Sequence, residues 1–245
     1  MLTVTPDKFD AVLFDLDGVI TGTAKIHASA WKQAFDEFLK KRAGDESFKP
    51  FDKQMDYEDY VDGKSRYDGA QSFLESRHID VARGDPSDPP DKETVCGIAN
   101  RKNELFESAL KKESVDVFEG TVEWIHHLCQ AGLKIAVVSS SSHCEATLQN
   151  AGISSLFDAR IDGDIADEMK LKGKPAPDTY LKAAEMLAVE AKRAVVVEDA
   201  LAGVEAGRQG DFGLVIGVDR KHDADALKQH GADIVVSDLK EMLSR

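Results

Sequence analysis

The stretch Ala11-Val12-Leu13-Phe14-Asp15-Leu16-Asp17-Gly18 decides how the rest of the chain is read. An apolar run ends in two carboxylates set two residues apart. Side chains alternate along a strand with period two, so Asp15 and Asp17 leave the C-terminal end of a buried strand pointing the same way. Negative charge concentrated at such a place is costly unless a cation or a reaction uses it.

Working outward, the pattern from about Asp116 onward is strongly periodic. Residues 121–130 place Val122, Ile125 and Leu128 on one helical face and stop before Gly132. Residues 134–139 are a short apolar run with polar flanks, which predicts a buried strand. Helices follow over 143–150, 178–188 (entered through Pro177) and 200–209, with strands over 194–197, 213–218 and 233–236. Strands alternating with helices at this pace predict an α/β fold, a Rossmann-like parallel sheet covered on both faces. Residues 21–115 differ. Helical patterns over 28–41, 68–77 and 97–112 flank a polar stretch at 44–62 and a Gly/Pro-rich loop at 84–90, with no strand-like apolar run. The expected organisation is a core of residues 1–20 and 116–245, an inserted helical cap over 21–115, and a cleft between them.

A chain of 245 residues can bury a full core, and 31% charged with 42% hydrophobic residues is an ordinary globular composition. The net charge of −14 argues against nonspecific binding to nucleic acid or anionic membranes. It leaves room for a small anionic substrate met by local cations, for which Lys64, Arg66, Arg101, Lys102 and Lys174 are available. Cys96, Cys129 and Cys144 lack metal-ligand spacing and read as thiols of a reducing compartment. No basic segment followed by an apolar stretch opens the chain, and no run approaches the roughly 20 apolar residues of a membrane span. A cytoplasmic protein is expected, with no nucleic-acid, membrane or obligate protein partner.

Four elements at strand ends or helix starts carry the chemistry: Asp15/Asp17, the serines 139–142, Lys174 before a helix, and Glu198-Asp199. C-terminal strand ends of a parallel sheet gather at one edge, so these residues can converge. Asp15 and Asp199, helped by Glu198, offer hard oxygen ligands suited to Mg²⁺. Ser139 with neighbouring amides can hold phosphate oxygens, and Lys174 can neutralise a transferring phosphoryl group. One carboxylate can attack phosphorus while the other moves the proton of the leaving or incoming oxygen. Each element alone also fits a plainer role: a turn, a polar cap, a solvent-facing lysine, a helix N-cap. Joined in this order they point to phosphoryl transfer.

With these motifs in place, the chain resembles the haloacid dehalogenase-like superfamily over nearly its whole length. The four signatures stand here as Phe14–Gly18 (FDLDG), residues 137–140 (VVSS), 173–178 (GKPAPD) and 196–200 (VVEDA). The resemblance implies Asp15 as nucleophile, Asp17 as general acid/base, Ser139 as phosphate ligand and Lys174 as the phosphate-neutralising lysine. It implies Mg²⁺ held by Asp15, Asp199 and the Asp17 carbonyl, with Glu198 in or next to the metal shell. The helical insert resembles the C1-type cap.

Within the superfamily the segment 14–23, followed by His27 and Trp31, is most similar to the β-phosphoglucomutase subgroup. That similarity implies that His27 orients Asp17 and guards the phosphoenzyme against water. It makes Gly63, Ser65 and Arg66 a specificity loop whose arginine grips the non-transferring phosphate, and brings Lys102 to the sugar hydroxyls. Thr23, Trp31, Ser140, Ser141, Ser142 and His143 complete the implied substrate and phosphate set. The chain departs from the subgroup pattern at Gly22 (usually Asp), at Asp62 (usually Lys) and at Ser142-His143 (usually Lys-Asn). The expected activity is interconversion of β-D-glucose 1-phosphate and glucose 6-phosphate through an aspartyl-phosphate and a bisphosphate, with glucose 1,6-bisphosphate as activator. The alternative is a Mg²⁺-dependent phosphatase for a small phosphorylated metabolite, since that needs only the four core elements. A silent binding protein fits poorly, because no core residue is missing.

Overall fold

A computed structural model describes residues 3–44, 47–112 and 115–244. In chain order, β1 (Ala11–Phe14) is followed by α1 (Ala24–Ala43), α2 (Arg66–Ser76) and α3 (Val95–Leu110). Then come α4 (Glu119–Gln130), β2 (Lys134–Val138), α5 (Cys144–Asn150), β3 (Ala159–Ile161), α6 (Gly163–Glu168) and α7 (Asp178–Met186). The chain closes with β4 (Ala194–Glu198), α8 (Leu201–Gln209), β5 (Leu214–Val218), α9 (Ala224–Gln229), β6 (Ile234–Val236) and a short 3₁₀ segment, Leu239–Ser244. The backbone divides into two compact units, one of Met1–Gly22 with Val115–Arg245 and one of Thr23–Ser114.

The first unit is built on a six-stranded sheet ordered β3-β2-β1-β4-β5-β6, with every pairing parallel. This is the expected doubly covered α/β layer. Period-two alternation sorts the strand residues between two cores. Val12, Phe14, Ile135, Val137, Val195 and Val197 face Trp124, Ile125 and Leu128 of α4. Leu13, Ala136, Val138 and Val196 face Tyr180, Ala183 and Ala184 of α7. Burial on both faces is why these strands read as unbroken apolar runs. β1, first in sequence, lies at the centre between β2 and β4, so its C-terminal end opens among those of its neighbours.

The structure adds elements that the periodicity does not predict. β3 extends the sheet at one edge. It is three residues long, and its central Arg160 is partly exposed and paired with Glu145 and Asp162, so no apolar run marks it. The short helices α6 and α9 are likewise additional. A π-helical turn, Tyr57–Val61, lies within the polar stretch at 44–62.

The second unit packs α1 and α2 around an aromatic cluster. Phe35 stands 4.1 Å from Phe73 and 5.1 Å from Phe51, ring centre to ring centre. Phe51 meets Phe73 edge-on at 5.0 Å. All of these rings are buried, and Trp31, Leu74 and Ile98 of α3 close the cluster.

Candidate active site

β1 ends at Phe14, and the Asp15 N–H still donates to the Val197 carbonyl at 2.9 Å, which pins this carboxylate to the sheet edge. The chain then turns. Gly18 adopts φ +93°, its N–H donating to the Thr21 carbonyl at 2.7 Å. A Cβ at this position would fall on the Asp199 carboxylate, so glycine serves here both the left-handed backbone and the close approach of Asp199.

Lys174 reaches the same point from the loop before α7. Its ammonium is buried and donates to Asp15 Oδ1 and Glu198 Oε1, each at 2.5 Å, and to the Val138 carbonyl at 3.1 Å. Glu198, at the end of β4, is held by more than Lys174. Tyr180 O–H donates to its Oε1 at 2.8 Å, and the backbone N–H groups of Asp199 and Ala200 donate to Oε2 at 3.1 and 3.2 Å. Gly203 of α8 lets the helix pass this carboxylate, because a Cβ there would overlap Glu198 Oε1. At the end of β2, Ser139 O–H donates to Asp17 Oδ2 at 3.4 Å while its oxygen accepts the Ser141 N–H at 3.1 Å. Ser141 Oγ accepts the His143 N–H at 3.2 Å.

Burial alone would push the Lys174 ammonium down, but Asp15 and Glu198 outweigh it and hold it above the ordinary lysine range. Lys174 is therefore a fixed cation. Burial drives the Asp15 carboxyl well above the usual carboxylate range; Lys174 opposes that, and the charges of Glu198 and Asp17 add to it. Burial, then the charge of Glu198, likewise raises the Tyr180 hydroxyl and keeps it a donor.

Asp15, Glu198 and Asp199, all buried, bring ligand oxygens within 4.8 Å of one another. These are hard donors, and the three carboxylates concentrate more negative charge than Lys174, paired with Asp15 and Glu198, offsets. A small divalent cation such as Mg²⁺ fits both the donor type and the missing positive charge.

Ser140 and Ser142 lie in the α/β unit with the core residues, and the helical unit holds Thr23, His27, Trp31, Gly63, Ser65, Arg66 and Lys102. Lys102 Nζ lies 2.8 Å from His27 Nδ1, and the His27 ring stacks on Phe106 at 3.9 Å. The ammonium also sits over the faces of Trp31 and Phe106, at 5.2 and 5.0 Å. Gly63 (φ +72°) turns the chain into α2, whose N-cap Ser65 accepts the Asp68 N–H at 3.3 Å. Arg66 follows and donates through Nη2 to Tyr67 O–H at 3.0 Å. Thr23 immediately precedes α1 and is buried. Lys64 bonds Ser72, and Arg101 pairs with Glu37 and Glu104, consistent with plain surface roles.

Thus Asp15, Asp17, Ser139, Lys174, Glu198 and Asp199 meet within the α/β unit. His27, Trp31 and Lys102 meet within the helical one. Sequence reasoning missed Tyr180 and Phe106. A tyrosine on the apolar face of a predicted helix was the available signal, because a buried phenol needs a hydrogen-bond partner. No helix among the described residues is long and apolar enough to cross a membrane.

A model of the haloacid dehalogenase-like hydrolases matches residues 9–211. The chain is 47% identical over 243 residues to a β-phosphoglucomutase of Mycobacterium tuberculosis, covering 97% of this chain and 93% of that one. It is 30% identical over 238 residues to a β-phosphoglucomutase of Bacillus subtilis, covering 95% and 91%. The crystal structure of a β-phosphoglucomutase from Clostridium difficile superposes with a TM-score of 0.74 at 26% identity, over 95% of this chain and 92% of that one.

Proposed function

The chain belongs to the haloacid dehalogenase-like hydrolase family, and on that premise we propose that it is a β-phosphoglucomutase. It interconverts β-D-glucose 1-phosphate and glucose 6-phosphate. The observation that carries the reading is 47% identity along nearly the full length of a β-phosphoglucomutase, joined to the gathering of Asp15, Lys174, Glu198 and Asp199 at the sheet edge.

Asp15 is the nucleophile. A carboxylate oxygen attacks phosphorus, the bond from phosphorus to the sugar oxygen breaks, and Asp17 delivers a proton to that oxygen. In the return direction Asp17 takes the proton of the incoming hydroxyl as the phosphoryl group leaves Asp15. Lys174 and Ser139 hold the phosphoryl oxygens, with Ser140, Ser141, Ser142 and His143 completing the phosphate-binding rim. Asp15, Asp199 and the Asp17 carbonyl, with Glu198 beside them, would hold Mg²⁺, which when bound offsets charge on the transferring group. The phosphorylated enzyme passes its group to the 6-hydroxyl of β-glucose 1-phosphate. The resulting bisphosphate returns its C1 phosphoryl group to Asp15 and leaves as glucose 6-phosphate.

A mutase must also withhold the phosphoenzyme from water. That duty is assigned to the helical unit, in which His27, Lys102, Thr23 and Trp31 are the proposed residues. Gly63 and Ser65 present Arg66, whose planar fork suits the dianion of the non-transferring phosphate. Glucose 1,6-bisphosphate is the proposed activator, because it can charge Asp15. The free thiols fit a cytoplasmic location.

The test is incubation with Mg²⁺, β-glucose 1-phosphate and a trace of glucose 1,6-bisphosphate, with glucose 6-phosphate and inorganic phosphate followed separately. Glucose 6-phosphate with little free phosphate is expected. Phosphate release without isomerisation would replace the mutase with a phosphatase of the same fold.

A further inference from the structure

The loop after β5 carries a cation that none of the four motifs includes. Arg220 is half-buried, and its Nε donates to the Gly18 carbonyl at 2.8 Å while Nη1 donates to the Ser237 carbonyl at 3.1 Å. The guanidinium carbon lies only 3.6 Å from the centre of the Phe118 ring. Phe118 caps α4, and its own N–H donates to the Ile20 carbonyl at 2.9 Å. One planar side chain therefore joins the turn after β1, the start of α4 and the ends of β5 and β6. Gly18 is also the residue against which the Asp199 carboxylate packs.

Burial pushes the guanidinium down from its usual range, opposed by Asp199 and Asp238, and an arginine remains charged throughout the working pH range. A lysine would keep the charge but lose the planar stack and the two-carbonyl bridge. We infer that Arg220 is a positioning residue for phosphoryl transfer. By gripping the Gly18 carbonyl it fixes the turn that carries Asp17 and the surface on which Asp199 rests. The inference rests on the reading of Asp15 and Asp199 as metal ligands and is independent of which phosphorylated substrate is used.

The experiment is calorimetric titration of Mg²⁺ into metal-stripped wild type, Arg220→Lys and Phe118→Leu, with kcat and KM measured on the same samples. Residues that orient metal ligands typically contribute about 10- to 100-fold to affinity or activity. Arg220→Lys is expected to weaken Mg²⁺ binding and lower kcat by at least about tenfold, with KM changed by less than about threefold. Phe118→Leu removes the stack alone and should move both quantities in the same direction by less. Arg220→Lys with wild-type Mg²⁺ affinity and kcat overturns the inference, even if its thermal midpoint falls. Should that variant not fold, unchanged Mg²⁺ affinity and kcat in Phe118→Leu overturn it equally. Absence of Mg²⁺ binding by the wild type would refute the metal reading itself and take the inference with it.

Discussion

Replacing Tyr180 by Phe removes one oxygen from the interior and leaves the ring in place, edge-on to Phe212 at 6.1 Å. The lost bond is the 2.8 Å donation to Glu198 Oε1, and both side chains are fully buried. Water does not take over the vacated position without a cavity to hold it. A hydrogen bond to a charged group contributes about 1.5–3 kcal/mol. Lys174 still donates to the same oxygen, which places the expected loss in the lower part of that range, about 1.5–2 kcal/mol. For a chain of this size each kcal/mol lowers the thermal midpoint by about 2–4 °C, so the variant should melt about 3–8 °C below wild type. Scanning calorimetry in excess EDTA reads this directly, since chelation removes any contribution from bound metal. A midpoint within about 1 °C of wild type would refute the reasoning, because the Tyr180 hydroxyl would then contribute nothing to holding Glu198.

Asp15→Asn should leave the fold intact and reduce turnover by at least about a thousandfold, measured as glucose 6-phosphate formed, and normal turnover would refute the nucleophile assignment. Phe73→Ala removes a buried ring from the Phe35/Phe51 cluster and should cost about 3–5 kcal/mol in denaturant unfolding; a loss under about 1 kcal/mol would contradict the packing. Of the three thiols, Cys129 is exposed and Cys96 and Cys144 are buried, while burial pushes all three up. A disulfide reagent should therefore label Cys129 in the native protein and all three in denaturant, and rapid native labelling of Cys144 would contradict its burial.

The parts legible in sequence share a physical cause. β1, β2, β4 and β5 are buried on both faces, so their apolar runs are unbroken and their ends mark where Asp15, Ser139 and Glu198 emerge. β3 escaped because an edge strand centred on Arg160 has no such run. The turn Tyr57–Val61 is not evident in the sequence because it buries only Tyr57 and Val61, with Glu58, Asp59 and Tyr60 between them partly or fully exposed. In the site, motif residues were legible because local pattern places each at a strand end or helix start. Tyr180 and Arg220 were not, since their partners Glu198 and Gly18 are distant in sequence and only the folded sheet joins them. The pairing of Lys102 with His27 likewise depends on α1 packing against α3.

The most direct test of the account follows the phosphoryl group itself. Protein charged with labelled glucose 1,6-bisphosphate and Mg²⁺, then freed of excess reagent, should carry the label on the peptide containing Asp15. Addition of β-glucose 1-phosphate should move the label into sugar phosphate, with little appearing as inorganic phosphate. Label found on another residue, or passing to water in preference to the sugar, would contradict a mutase built on Asp15.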